Sequence, residues 1–116
     1  MQAPTEAKLL RVFIGESAKS DHRPLYEAIV LAARAASLAG ATVLRGPMGF
    51  GHSRHLHSQN ILELSGDLPL VVEIVDTEEK INAFLPLLDA MLVKAEGLVT
   101  LEKVQVLRYG AGGQDA

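Results

Sequence analysis

Residues 70–80 read Leu-Val-Val-Glu-Ile-Val-Asp-Thr-Glu-Glu-Lys, and this stretch sets the frame for the whole chain. Leu70–Val75 is short, rich in β-branched side chains and interrupted by a single charge, which is the pattern of a strand. Asp76-Thr77-Glu78-Glu79 then carries a capping-box signature, with Asp76 three residues before Glu79. The strand therefore runs straight into a helix, expected to reach about Lys94. Pro86 lies inside that helix and should kink or divide it, because proline lacks the N–H and crowds the preceding turn.

Working outward, Gly97 ends the helix and Val99–Leu107 forms a last strand. On the other side lies a polar connector, His52–Asp67, with a short apolar insert at Ile61, Leu62 and Leu64. It is preceded by a strand at Thr42–Arg45 that runs into Gly46-Pro47-Met48-Gly49-Phe50-Gly51, where three glycines and a proline end regular structure. Leu25–Ala39 is alanine-rich with apolar residues at helical spacing. Asp21 is its expected N-cap, Pro24 sits in its first turn and Gly40 supplies the stop. Leu9, Leu10, Val12, Phe13 and Ile14, closed by Gly15, form the first strand. The order βαββαβ predicts an α+β, ferredoxin-like fold: a four-stranded antiparallel sheet with two helices on one face.

Alternation along the strands predicts the two sheet faces. One holds Leu10, Val12, Ile14, Leu70, Val72, Ile74, Val104 and Val106 and should meet the helices. The other holds Arg11, Phe13, Val71, Glu73, Val75, Gln105 and Leu107, with an Arg11–Glu73 pair as one way to satisfy its charges. That second face is too apolar to sit comfortably in water, which favours an oligomer that covers it.

At 116 residues there is room for one domain, spanning 1–116 with a core at about 8–109 and a Gly-rich tail, 110–116, expected to be disordered. A net charge of −3 argues against nucleic acid as a partner, and five aromatic residues supply no stacking platform. The absence of cysteine removes disulfides, thiolate metal sites and a cysteine nucleophile. No apolar run approaches the roughly 18–20 residues of a membrane span, and the opening MQAPTEAK lacks a signal-peptide core, so a soluble, cytoplasmic chain is expected. No serine sits in a nucleophile elbow, and Glu78 and Glu79 are explained as caps favoured by the helix dipole. The chain is not expected to be an enzyme.

The window between Glu27 and Glu63 contains no acidic residue, although the chain carries 14. It holds Arg34, Arg45, Arg54, His52, His55 and His57 together with the glycines at 46, 49 and 51. Backbone N–H groups exposed by glycine and flanked by cations suit a phosphate or other anion. The same glycines could simply turn the chain, and both readings stand. His52-x-x-His55-x-His57 offers an alternative, imidazoles for a divalent metal gathered by a loop. Tyr109, following Arg108, is a candidate stacking face.

Several segments in order carry a resemblance: PLYEAIV at 24–30, AGATVLRG at 39–46, GFG at 49–51, LSGDLP at 64–69 and GLVT at 97–100. Together they resemble the PII-like family catalogued as domain of unknown function 190, over nearly the whole chain from Leu9 to Tyr109. The resemblance implies a homotrimer similar in fold to PII signal proteins and CutA, with adenine nucleotides bound in clefts between subunits. His52–Asp67 takes the position of the mobile T-loop, and Gly46–Gly51, including Met48 and Phe50, that of the glycine-rich cleft wall. Arg45 stands at its edge, and Arg108 and Tyr109 stand where PII chains supply residues to a neighbouring cleft. The chain departs from PII before the last strand, reading Ala95-Glu96-Gly97-Leu98-Val99 where PII has a Gly-Asp-Gly-Lys turn that meets phosphates.

The expected function is thus a regulatory module. It would bind a small anionic ligand, an adenine nucleotide with a short phosphate tail, beside Arg45, Gly46, Met48, Gly49, Phe50, Gly51, Arg54, Arg108 and Tyr109. It would require no cofactor and would report occupancy through the connector to a protein target, a membrane transporter being one candidate. The alternative is a CutA-like, metal-responsive protein using His52, His55 and His57.

Overall fold

Four strands form an antiparallel sheet in the computed structural model, which describes residues 1, 3–51, 56–58 and 67–110. They are β1 (Thr5–Gly15), β2 (Thr42–Arg45), β3 (Pro69–Asp76) and β4 (Leu98–Val106), in the spatial order β2-β3-β1-β4. Helices α1 (Leu25–Ala35) and α2 (Glu78–Met91) complete the ferredoxin-like βαββαβ arrangement. Both sit on one face. Leu25, Ile29 and Ala33 of α1 and Ile81, Phe84 and Leu88 of α2 share one core with Leu10, Val12, Ile14, Leu70, Val72 and Ile74. The apolar face expected of the two central strands is the one the helices cover.

The outer strand β4 departs from expectation by one residue. Its register pairs Val12 with Val99, Leu10 with Leu101, Ala7 with Val104 and Thr5 with Val106. Directly opposed residues point to the same side of the sheet. Val104 and Val106 therefore share the helix-free face with Phe13 and Arg11, while Gln105 lies on the helix side and Leu107 falls beyond the strand. A slip of one position inverts every side chain, and that is the difference here. The helix-free face accordingly carries an unbroken apolar row across all four strands, Leu44–Val71–Phe13–Leu98. Beside it Arg11 joins two carboxylates, donating from Nε to Glu73 at 2.9 Å and from a terminal nitrogen to Glu102. The guanidinium pKa is raised, first by the hydrogen bond to Glu73 and further by Glu102.

The helix ends also differ. Asp21, at φ 57°, turns a two-residue ladder between Lys19–Ser20 and Arg23–Pro24, and the N-cap of α1 is Pro24. The helix stops at Ala35, before Gly40. Ser37 takes the left-handed conformation (φ 60°), and the N–H groups of Ser37 and Leu38 donate to the carbonyls of Arg34 and Ala33, closing a Schellman motif. For α2 the cap is Thr77, whose hydroxyl accepts from the Lys80 N–H at 3.2 Å. Asp76 is instead buried, accepting the N–H of Thr77 at 2.7 Å and of Ala39 at 2.8 Å. Pro86 does not divide α2, which runs through it as one helix to Met91.

Candidate functional site

Where β2 ends, the chain lies down on Pro69 at the start of β3. The Gly46 N–H donates to the Pro69 carbonyl at 2.8 Å, and a Cβ at either Gly46 or Gly49 would come within 3.1 Å of the Pro69 ring. Close approach to this ring accounts for both glycines, so Gly49→Val would disturb packing as well as any ligand. Met48–Gly49 then pairs with His57–Ser58 in a two-residue antiparallel ladder. Met48 and Phe50 are exposed. Arg54, His52 and His55, and with them the expected loop mobility, lie outside the described residues.

The ladder, the β1 end and the turn after α2 enclose a cavity of about 790 Å³. Its lining comprises the sheet end at Phe13, Ile14, Leu70 and Val71, the segment Gly49–Gly51, and the turn Lys94–Leu98. Gly97 seats that turn on β1, because a Cβ there would meet the Ile14 side chain at 3.2 Å and the Phe13 carbonyl at 3.3 Å. The size suits a nucleoside-sized ligand, for which pockets run roughly 300–1,000 Å³. The rim carries Lys19, Lys94, Asp67 and Glu96. Asp67 accepts the Ser17 N–H at 2.8 Å, and the Glu16 N–H donates to the Leu68 carbonyl at 2.8 Å. These bonds fix the place where the connector returns to the sheet.

The acid-free window along the chain is not an acid-free region in space. Arg45 is ion-paired with Glu16, and Glu96 stands over Gly51, where a Cβ would meet its Oε1 at 3.0 Å. Among the described residues the cations at the cavity are Lys19 and Lys94, and neither was among the residues expected to form the site. Lys19 precedes the acid-free window and Lys94 sits next to the turn that departs from PII. That turn was the available signal for the second of them.

Arg108 and Tyr109 occupy the other end of the sheet. They line a second hollow of about 620 Å³ with Gly40, Thr42, Val75 and Val106. The Arg108 Nε donates to the Gly110 carbonyl at 2.9 Å. Burial raises the Tyr109 phenol pKa, and the nearby Asp76 charge raises it further. Gly46 is anchored at Pro69 and this hollow lies by Val75, at opposite ends of β3. At about 3.3 Å per residue that separates the two sets by roughly 20 Å. Within one chain they do not form one site.

No group of three or more His, Asp or Glu side chains that could hold a metal ion occurs among the described residues. None of the described helices is long and apolar enough to cross a membrane.

This sheet order, with a glycine-rich segment leading into the β2–β3 connector and a cavity at its stem, defines a PII-like fold. Among solved structures it is matched by CPII, a nitrogen regulatory PII-like protein from Thiomonas intermedia K12 bound to ADP, AMP and bicarbonate. The TM-score is 0.71 over 93% of this chain and 94% of that one, at 17% identity, so the likeness is one of fold. Residues 7–106 match the model of the family DUF190, described as an uncharacterized ACR, and the chain belongs to that family. A UPF0166 protein of Aquifex aeolicus is 39% identical over 100 residues, covering 86% of this chain and 92% of its own length. A second UPF0166 protein, from Methanocaldococcus jannaschii, is 33% identical over 103 residues, 89% of this chain and 94% of that one.

Proposed function

We propose that the chain is a non-enzymatic PII-like regulatory protein that binds an adenine nucleotide in the cavity at the stem of the β2–β3 connector. The observation that carries this reading is the make-up of that cavity. The apolar side chains of Phe13 and Val71, which share the helix-free face, suit a planar base, and Lys19 and Lys94 in the lining suit phosphate oxygens. Gly49–Gly51 and Asp67, all in the lining, stand at the two ends of the connector. A ligand there touches both, so occupancy bears on the surface that the connector offers to a protein target. A membrane transporter is a target of the kind that such a module would regulate. CPII, with ADP and AMP bound, supports the choice of ligand class.

The same proposal includes a homotrimer. Leu44 and Leu98, at the two ends of the apolar row, are 49% and 58% exposed, and a row of this kind on a small domain calls for cover. In a closed ring, Arg108 and Tyr109 of one copy reach the cavity of the next, supplying the charge and stacking face that one chain holds apart.

Titration calorimetry tests the ligand class, with AMP, ADP, ATP, zinc and copper each added to the wild type and to Lys19→Ala and Lys94→Ala. Charge-assisted hydrogen bonds contribute roughly 1.5–3 kcal/mol each, so each lysine variant should weaken nucleotide binding about tenfold or more. Tight metal binding with no nucleotide heat would overturn the proposal in favour of His52, His55 and His57.

A further inference from the structure

Glu16 touches both ends of the β2–β3 connector. Its N–H donates to the Leu68 carbonyl at 2.8 Å, where the connector returns to β3, and its carboxylate pairs with the guanidinium of Arg45, the last residue of β2. β3 lies between β1 and β2 in the sheet, so this ion pair joins two segments whose strands share no ladder. With side chains 25% and 54% exposed, it is a modest tie, able to shift an equilibrium a few-fold. Neither residue lines the cavity, but the segments that follow them do: Ser17, Ala18 and Lys19 after Glu16, and Gly49–Gly51 after Arg45. The Gly46 N–H is held by Pro69, and Met48–Gly49 by the ladder to His57–Ser58; the ion pair adds the link to the β1 end.

We propose that Glu16 and Arg45 are positioning residues for the ligand: their ion pair holds Gly49–Gly51 in place relative to Ser17–Lys19, and Arg45 does not itself bind phosphate. The proposal rests on the nucleotide reading above. A guanidinium near an anion site has two uses with opposite consequences. If Arg45 bound phosphate, Glu16 would compete for it, and removing the Glu16 charge would strengthen binding. If the pair sets the lining, removing either charge weakens binding, because the competent arrangement becomes a smaller fraction of the population. The geometry favours the second use, since Arg45 is engaged by Glu16 and stands outside the lining. A change in overall charge alone would move Glu16→Gln and Arg45→Gln in opposite directions, so a shared decrease is the mark of the pair.

Calorimetry with AMP on the wild type, Glu16→Gln, Arg45→Gln, the variant carrying both, and the reversed pair Glu16→Arg with Arg45→Glu separates the two uses. Each single variant should weaken AMP binding about twofold to fivefold, and the variant carrying both should lose no more than the worse single one. The reversed pair should return to within about twofold of the wild type. Without ligand, amide exchange at residues 48–51 should quicken in both single variants and recover in the reversed pair. Tighter AMP binding by Glu16→Gln, unchanged affinity in both single variants, or loss of AMP binding in the reversed pair overturns the proposal and leaves the nucleotide reading intact. Absence of AMP binding by the wild type and every variant removes the nucleotide reading, and this proposal with it.

Discussion

Asp76 is 3% exposed, and its carboxylate joins three elements: the end of β3, the start of α2 through the Thr77 N–H, and the loop after α1 through the Ala39 N–H. Removing it strands the Thr77 and Ala39 N–H groups, which this carboxylate satisfies. Asp76→Ala should therefore lower unfolding free energy by about 3 kcal/mol, and Asp76→Asn, which keeps one acceptor, by about half that. Urea unfolding reads both; a loss below about 0.5 kcal/mol for the alanine variant would show that water replaces the carboxylate. A carboxylate between a strand and a helix reads as the cap, but the cap is Thr77, and the role of Asp76 as a buried acceptor depends on Ala39, 37 positions earlier. The Arg11–Glu73 pair was legible because both residues stand on one face of long, unambiguous strands. Glu102, the third member, was not, because it depends on the register of β4.

At the scale of elements, the central strands and both helices were legible because each has one dominant period. β4 was not, since its apolar residues change phase along the strand: Val99 and Leu101 face the helices, Val104 and Val106 face away. Alternation cannot decide which face is inner when both phases are present. The end of α1 was missed for another reason. Gly40 looked like the stop, but Ser37 takes the left-handed turn three residues earlier, because the Schellman hydrogen bonds tolerate a small polar residue there. Pro86 stays within α2 on its exposed side, so the helix forgoes one internal hydrogen bond without losing a core contact. Pro86→Ala should restore that bond and raise unfolding free energy by about 1–3 kcal/mol. Destabilisation in urea would mean that the proline ring packs in a way that alanine cannot replace.

At the scale of the whole molecule, the candidate site was legible on one side only. Gly49–Gly51 of the cavity lining could be read as part of a run, while Gly46 and Met48 of that run stay outside the lining, and Lys19, Asp67, Lys94 and Glu96 meet through the fold. The acid-free window misled because sequence neighbours are not spatial neighbours: Glu16 and Glu96 arrive from other elements. The roughly 20 Å between the Gly46–Gly51 segment and Arg108–Tyr109 gives the proposed assembly its purpose. A head-to-tail contact that closes into a ring brings one copy's β4 end to the next copy's cavity, so that neighbour and bound base together cover the row Leu44–Val71–Phe13–Leu98. Hydrogen exchange with and without AMP tests for a nucleotide cleft shared between copies. Slowed exchange in residues 46–51, in 94–98 and also in 107–110 is the expected result. Protection confined to the first two segments would contradict the shared cleft, and unchanged exchange in all three would contradict the nucleotide site itself.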